Sequence, residues 1–353
     1  MAFVKKPQES KQTINKAGKI IAENEPNDPL IEWGIGLTSR WRACHAYPIN
    51  TFQATLRRKL KKFPANPIVA QRLKRMPTII EKLRRYPKMQ LARMQDIGGV
   101  RAILNSVQDV YLLAKEYKDK SRFIHELVGE KDYIQSPRDE DGYRSLHLIY
   151  KYKNKIVKEY NGLQLELQIR TRLEHSWATA VETMGTFLGQ ALKSRQGDKE
   201  WLDFFALISS AFASMENTEL LPRHKAMPQK KIFETVAKMN DELKVLEKIK
   251  GYSVAVNEII KKGSSETGWS YHLIILNSFE KKVQIKAYQR GSIKQATEDY
   301  SKIEAEAVNG KKIEAVLVSA GPLSMLKQAY PNFFLDISDF VGNIERIIDS
   351  SKK

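Results

Sequence analysis

The stretch Leu163 to Thr171 reads Leu-Gln-Leu-Glu-Leu-Gln-Ile-Arg-Thr, and that alternation permits one backbone, an extended strand. Period 2 sends Leu163, Leu165, Leu167 and Ile169 to one face and Gln164, Glu166, Gln168 and Arg170 to the other. The apolar face requires a core to pack on. The polar face has two readings. An antiparallel sheet often keeps one face in water. A carboxylate, two amides and a guanidinium side by side also suit a surface that holds a charged ligand. On this stretch alone both readings stand.

The chain has 353 residues, enough for two domains and a sizeable core. With 42% hydrophobic and 9% aromatic residues its composition is that of a folded protein. A formal charge of +18 favours a polyanionic partner such as nucleic acid or nucleotide, and does not bear on fold. The single cysteine, Cys44, excludes an internal disulfide and a cysteine-based zinc site. The first residues carry no apolar signal core, and the apolar run Phe204 to Met215 is too short to span a bilayer. These points lead to the expectation of a cytoplasmic protein with no membrane contact.

Between Thr51 and Gln95 there are 13 lysines and arginines against one acid, Glu81. A merely solvated helix face mixes signs, so this is an electrostatic footprint for phosphates. Arg72, Lys74 and Lys82 lie in this region, read as mostly helical, with the two lysines eight apart on one face. Asp96-Ile-Gly-Gly-Val-Arg101 leads into a buried strand, Val100 to Leu104. Asp96 at the strand's mouth is either an ordinary turn residue or a metal ligand. Helical spacing covers Val107 to Lys118, and a strand runs within Phe123 to Ile134. A charged loop then delivers Gly142-Tyr143 and a strand from Leu146 to Lys153. Tyr143 reads as an edge tyrosine or as a platform for a base, and His147 as a structural histidine. Helices are expected at Leu173 to Lys193 and Glu200 to Met215. The boundary is placed in the proline-containing stretch 217–228, giving domains 1–224 and 225–353. The second unit reads as one long helix, Lys230 to Lys250, then three strands and three helices ending at Ile347, with no catalytic constellation.

Residues of about 50–215 resemble the RelA/SpoT-type synthetase family. The resemblance rests on four motifs in order: Arg72-Leu-Lys74 with Lys82, Asp96-Ile-Gly-Gly-Val-Arg101, Gly142-Tyr143-Arg-Ser-Leu-His147, and Glu166-Leu-Gln-Ile-Arg170-Thr171. It implies an α+β fold: a nucleotidyltransferase-like synthetase domain with a mixed sheet and helices on one face. It also implies transfer of the β,γ-pyrophosphate of ATP to a ribose 3′-hydroxyl. By resemblance Asp96 and Glu166 hold Mg²⁺, Glu166 helps deprotonate the acceptor, and Tyr143 stacks on its base. Arg72 would stack on adenine, Lys74 and Lys82 meet phosphates, and Arg101, His147, Gln168 and Arg170 complete the nucleotide site. Such a reaction needs a divalent cation, basic side chains on the phosphates and an aligned nucleophile.

The two ends of the chain resemble the toxin branch of that family, in its fused toxin–antitoxin CapRel form. They do so through Ser10 to Gly18, His45 to Phe52, Arg170 to Gly185 and Lys327 to Asp336. This resemblance implies that the acceptor is the 3′ CCA end of tRNA and that translation stops. It implies a smaller C-terminal α/β antitoxin domain of pseudo-zinc-finger type without zinc, and release by a phage major capsid protein. Arg57, Arg58, Lys61 and Lys62 are the candidate tRNA contacts, and a monomer is expected. Tyr330 and Phe333 would form the autoinhibitory element, with Phe333 standing where the branch carries a second tyrosine. The alternative is an alarmone synthetase acting on GDP or GTP with a C-terminal regulatory domain.

Overall fold

The computed structural model describes residues 4–23, 29–64, 66–121, 123–188, 190, 192, 197–254, 257–258, 269–277, 280, 282–308, 311, 313–318, 328–331 and 337–352. Three helices open the chain: α1 (Lys11–Glu23), α2 (Pro29–Ala43) and α3 (Ala46–Leu60). The Ser10 hydroxyl accepts the Thr13 amide at 3.1 Å and caps α1. Next come β1 (Ile68–Leu73), α4 (Met76–Arg85), β2 (Gly98–Leu104), α5 (Val107–Lys118), β3 (Glu126–Asp132), β4 (Leu146–Lys151) and β5 (Gln164–Thr171). The five strands form one mixed sheet in the order β1-β2-β5-β4-β3, with only β2 and β5 parallel.

The alternation in β5 holds. Leu163, Leu165, Leu167 and Ile169 are buried in a core shared with α1, α3 and α5, while Glu166 and Gln168 lie on the opposite face. One expectation fails here. Arg72 lies in strand β1 and Lys74 in the turn after it, not on a helix with Lys82. Ile68 and Ala70 alternate onto the sheet, so burial on the pleat outweighs the helix-compatible composition that follows. The two glycines also sit inside β2 rather than ahead of it. A side chain at Gly98 would strike Leu165 at 2.8 Å and Ile49 at 2.9 Å, so close strand–helix packing requires it.

Helices α6 (Arg172–Leu188) and α7 (Lys199–Met215) follow, then α8 (Gln229–Leu243) and α9 (Val245–Val254). Thr171 and Glu174 start α6 with a reciprocal capping box, Thr171 N–H to Glu174 Oε2 at 2.9 Å and Glu174 N–H to Thr171 Oγ1 at 3.2 Å. The expected single helix from Lys230 to Lys250 is broken at Lys244, which adopts a left-handed conformation at φ 52°. Strands β6 (Asn257–Glu258), β7 (Trp269–Asn277), β8 (Lys282–Gln289) and β9 (Ile313–Val318) form a second sheet, ordered β6-β8-β7-β9. Helix α10 (Ile293–Val308) covers it, and α11 (Ser338–Ser351) closes the chain. Of the expected helix Leu323 to Ala329, only residues 328–329 are described.

Two helices that follow residue 224 pack on two that precede it. Phe340, Ile344 and Ile347 of α11 and Ile232, Phe233 and Val236 of α8 share one apolar cluster with Trp177 of α6 and Phe204, Phe205 and Phe212 of α7. The second sheet has two apolar faces. Leu273 and Ile275 meet Tyr300 of α10. Ile274, Leu276, Val316 and Val318 meet Ile68, Ala70 and Ile103 on the polar-ligand face of the first sheet. The two sheets are therefore stacked, and the Glu166 face of the first looks into the space between them.

Candidate nucleotide site

Strand register places the polar face. Arg72, Gly99, Glu166 and Ile149 form one row across β1, β2, β5 and β4. Ala70, Arg101, Gln168 and His147 form the next. Gly99 leaves a gap beside Glu166, where an added Cβ would meet only the Glu166 carbonyl, at 3.5 Å. Along the face runs a chain of polar contacts. The Tyr143 hydroxyl meets His147 Nε2 at 2.8 Å. His147 Nδ1 meets Glu166 Oε1 at 2.8 Å. Gln168 Nε2 donates to Glu166 Oε2 at 2.8 Å, and Arg101 Nε donates to Gln168 Oε1 at 3.2 Å.

A second constellation stands at the strand mouths. Lys74 Nζ lies 2.8 Å and Lys82 Nζ 3.0 Å from the two oxygens of Asp96. The two lysines thus converge as expected, though from a turn and a helix. Burial disfavours the Asp96 carboxylate, but Lys74 and Lys82 outweigh it and hold the acid well below the usual range. Burial, with Arg72 and Lys82 adding, draws Lys74 down to about 8 against the pull of Asp96. Burial also opposes Glu166, and the His147 imidazole overcomes it and keeps the carboxylate ionised.

Asp96 and Glu166 line one small cavity together with Arg72, Arg101, Gln168 and Tyr330. Beside it a larger cavity of about 680 Å³ is lined by Arg72, Lys74, Arg75, Lys82 and Glu182. Two oxygen-donor carboxylates suit Mg²⁺, which takes one or two protein carboxylates and leaves other positions to phosphate and water. Among the described residues no group of three or more His, Cys, Asp or Glu could hold a metal.

The remaining expected residues fall as follows. Arg170 is buried against His175 Nδ1, and His175 Nε2 lies 3.3 Å from the Gln328 carbonyl of the C-terminal half. Burial and the Arg101 charge pull the Arg170 guanidinium down to about 9. Tyr143 carries the Arg138 guanidinium over its ring at 4.5 Å, so that face is covered in this conformation. The candidate tRNA contacts Arg57, Arg58, Lys61 and Lys62 are all exposed at the end of α3 and just beyond it, with Lys62 3.2 Å from Glu116. The Tyr330 hydroxyl accepts from the Gln71 amide at 2.6 Å and donates to the Gln71 carbonyl. It thereby satisfies the outward backbone groups of the edge strand β1. Phe333 lies outside the described residues.

Sequence reasoning missed Arg75 and Glu182. Arg75 is ion-paired to Glu314 of β9 and lies 3.6 Å from Glu182 of α6. The only signal for Arg75 was its place directly after Lys74 in the basic stretch. Glu182 had none, since it sits beside the apolar stripe of its helix. Among the described residues no helix is long and apolar enough to cross a membrane.

Over 118 residues the chain is 34% identical to the GTP pyrophosphokinase YjbM of Bacillus subtilis (strain 168), covering 33% of this chain and 54% of that protein. Over 121 residues it is 34% identical to the GTP pyrophosphokinase YwaC of the same organism, covering 32% and 56%. The chain spans about half the length of these curated relatives. The small alarmone synthetase 1 structure from Bacillus subtilis is similar at 24% identity and TM-score 0.42, over 53% of this chain and 93% of that one. A GTP pyrophosphokinase family protein from Streptococcus pneumoniae is similar at 23% identity and TM-score 0.42, over 53% and 90%. Residues 71–185 match the family described as "Region found in RelA / SpoT proteins". That span holds Arg72, Lys74, Lys82, Asp96, Tyr143, His147 and Glu166, so the chain carries a region found in RelA/SpoT proteins and the candidate site lies within it.

Proposed function

We propose that the chain is an ATP-dependent pyrophosphokinase held closed by its own C-terminal half, with the 3′ end of tRNA as acceptor. The observation that carries the enzymatic reading is the meeting of Asp96, between Lys74 and Lys82, with Glu166, held by His147, in the lining of one cavity inside the RelA/SpoT region. Lys74, Lys82 and Arg72 bind and orient the triphosphate. The acceptor 3′-oxygen forms a bond to the β-phosphorus, the bond from that phosphorus to the α,β-bridging oxygen breaks, and AMP leaves. Glu166 takes the hydroxyl proton, with His147 and Gln168 fixing its two oxygens. Mg²⁺ held by Asp96 and Glu166 supplies neutralisation of phosphate charge when bound.

The closed state is supported by the stacking of the second sheet on the site face and by Tyr330 on the β1 edge. The tRNA acceptor rests on the resemblance to the fused toxin branch and on the basic stretch, and a phage capsid protein is the trigger that resemblance suggests. A second reading takes GDP or GTP as acceptor. It is favoured by the names of the two Bacillus relatives, both GTP pyrophosphokinases.

The test uses the full chain bearing Glu304→Gln, which weakens the contact between its halves, with γ-³²P-ATP, Mg²⁺, bulk tRNA and GDP together. Label on the tRNA 3′ end supports the toxin reading. Label on guanosine nucleotides replaces it with the alarmone reading. Label on neither removes both.

A further inference from the structure

Two carboxylates of the C-terminal half occupy the N-terminus of α4. Glu304 Oε1 accepts the Met76 amide at 3.0 Å, and the Glu304 carboxylate is also ion-paired to Arg42, with both side chains buried. Glu314 is ion-paired to Arg75, the residue that caps this helix. The first turn of α4 contains no acid of its own, and Pro77 sits within it. A helix N-terminus presents free amides and the positive end of its dipole, a setting that favours phosphate or carboxylate. Here the anions come from a distant part of the chain. They stand at the edge of the 680 Å³ cavity that Lys74, Lys82 and Arg72 also line.

The arrangement matters because of what it leaves behind. Glu314 and Glu304 are carried on β9 and α10, the elements that pack on β1 and α4. If that half moves away, Arg75 and the Met76 amide lose their anions and face the cavity beside three further cations. Glu182 stays with Arg75 and Asp96 with Lys74 and Lys82, so two carboxylates face the four cations Arg72, Lys74, Arg75 and Lys82. Arginine presents a planar fork of donors matched to phosphate oxygens.

We infer that Arg75 and the α4 N-terminus are part of the polyphosphate cradle, and that Glu314 and Glu304 fill it as internal phosphate surrogates in the closed chain. The inference rests on the reading that this cavity takes the triphosphate of ATP. Triphosphate and the C-terminal half then compete for the same groups. Nucleotide binding and interdomain docking oppose each other by a fixed factor, whichever is varied.

A purely structural latch makes a different prediction for one variant. If Arg75 serves only to hold Glu314, removing either partner opens the chain, and both removals tighten nucleotide binding alike. If Arg75 also grips phosphate, its removal costs affinity once Glu314 is already gone. The experiment is equilibrium binding of α,β-methylene-ATP with Mg²⁺ to the full chain. Glu314→Gln should tighten binding about tenfold, and adding Arg75→Gln to it should cost at least about tenfold, the range of one charge-assisted contact. Arg75→Lys in the same background should recover part of the loss, which guards against misfolding. The inference is overturned if the double variant binds as tightly as Glu314→Gln, or if Glu314→Gln leaves affinity unchanged. Lys74→Gln in the Glu314→Gln background tests the underlying reading separately. If that change leaves affinity intact, the cavity is not the triphosphate site, whatever Arg75 does.

Discussion

Glu304→Gln removes one charge and almost nothing else, which makes it the sharpest probe of how the two halves hold together. Arg42 and Glu304 form an ion pair whose side chains are 4% and 6% exposed. Solvent screening is therefore slight. Glu304 also accepts from Met76 N–H at 3.0 Å and Tyr300 O–H at 2.9 Å, and Arg42 lies over the Tyr300 ring at 5.1 Å. A glutamine carbonyl keeps the Met76 and Tyr300 bonds. Its amide, however, is a donor facing a guanidinium that is also a donor. Arg42 is left as a buried, unpaired cation, a situation that costs about 3–5 kcal/mol. The Arg42 hydrogen bond to the Lys74 carbonyl, at 3.4 Å, is too long to compensate. Burial works against the Arg42 cation, and Glu304 is the chief group holding it charged. The loss falls on docking of the C-terminal half, because both partners lie at that junction. About 3 kcal/mol corresponds to more than a hundredfold shift toward the undocked state. Hydrogen exchange at the Met76 and Gln71 amides reads that opening directly. Arg42→Met with Glu304→Leu, which removes both charges, should recover much of the docking. A docking loss below about 1 kcal/mol, with exchange at Met76 unchanged, would refute the assignment of this pair as the main electrostatic tie.

Three further outcomes are expected. Asp96→Asn should lower pyrophosphate transfer by about a hundredfold or more at ordinary Mg²⁺, through loss of a metal ligand, and full activity in the labelled assay removes that role. Gly142→Ala should destabilise the chain by about 1–3 kcal/mol in urea unfolding, because Gly142 sits at φ +76° and a Cβ there would lie 2.8 Å from that of Ser209 on α7. Glu174 is buried, which pushes its acid up from 4.5 to about 8, with Glu216 adding to the shift. The folded state binds the extra proton, so this contribution to stability is fully present below pH 4.5 and is lost as pH rises through 8. Glu174→Gln should flatten that decline, and an unchanged pH profile of the melting temperature removes the assignment.

Much of the N-terminal half was legible because its elements are locally consistent. The β5 alternation and the helical spacing of Val107–Lys118 each agree with the packing they enter. The candidate site was legible as a set of residues because its motifs run in order. Its geometry was less so. Lys74 and Lys82 were expected to meet along a helix and instead meet across a strand–turn–helix corner, where Asp96 draws them together. Spacing along the chain carries no record of such a corner, since β1 reads Ile-Val-Ala-Gln-Arg-Leu and shows no strict period-2 alternation of its own. The least legible feature was the one that decides access. Ile68, Ala70 and Ile103 look like ordinary strand residues, yet they accept Ile274, Leu276, Val316 and Val318 from the far end of the chain. Glu304 and Glu314 carry no sequence signal of their own, and their role shows only beside Arg42 and Arg75. The +18 charge was read as a sign of polyanionic partners. Part of that basic surface has its anions supplied from within the chain, and only separation of the two halves would turn it toward a ligand.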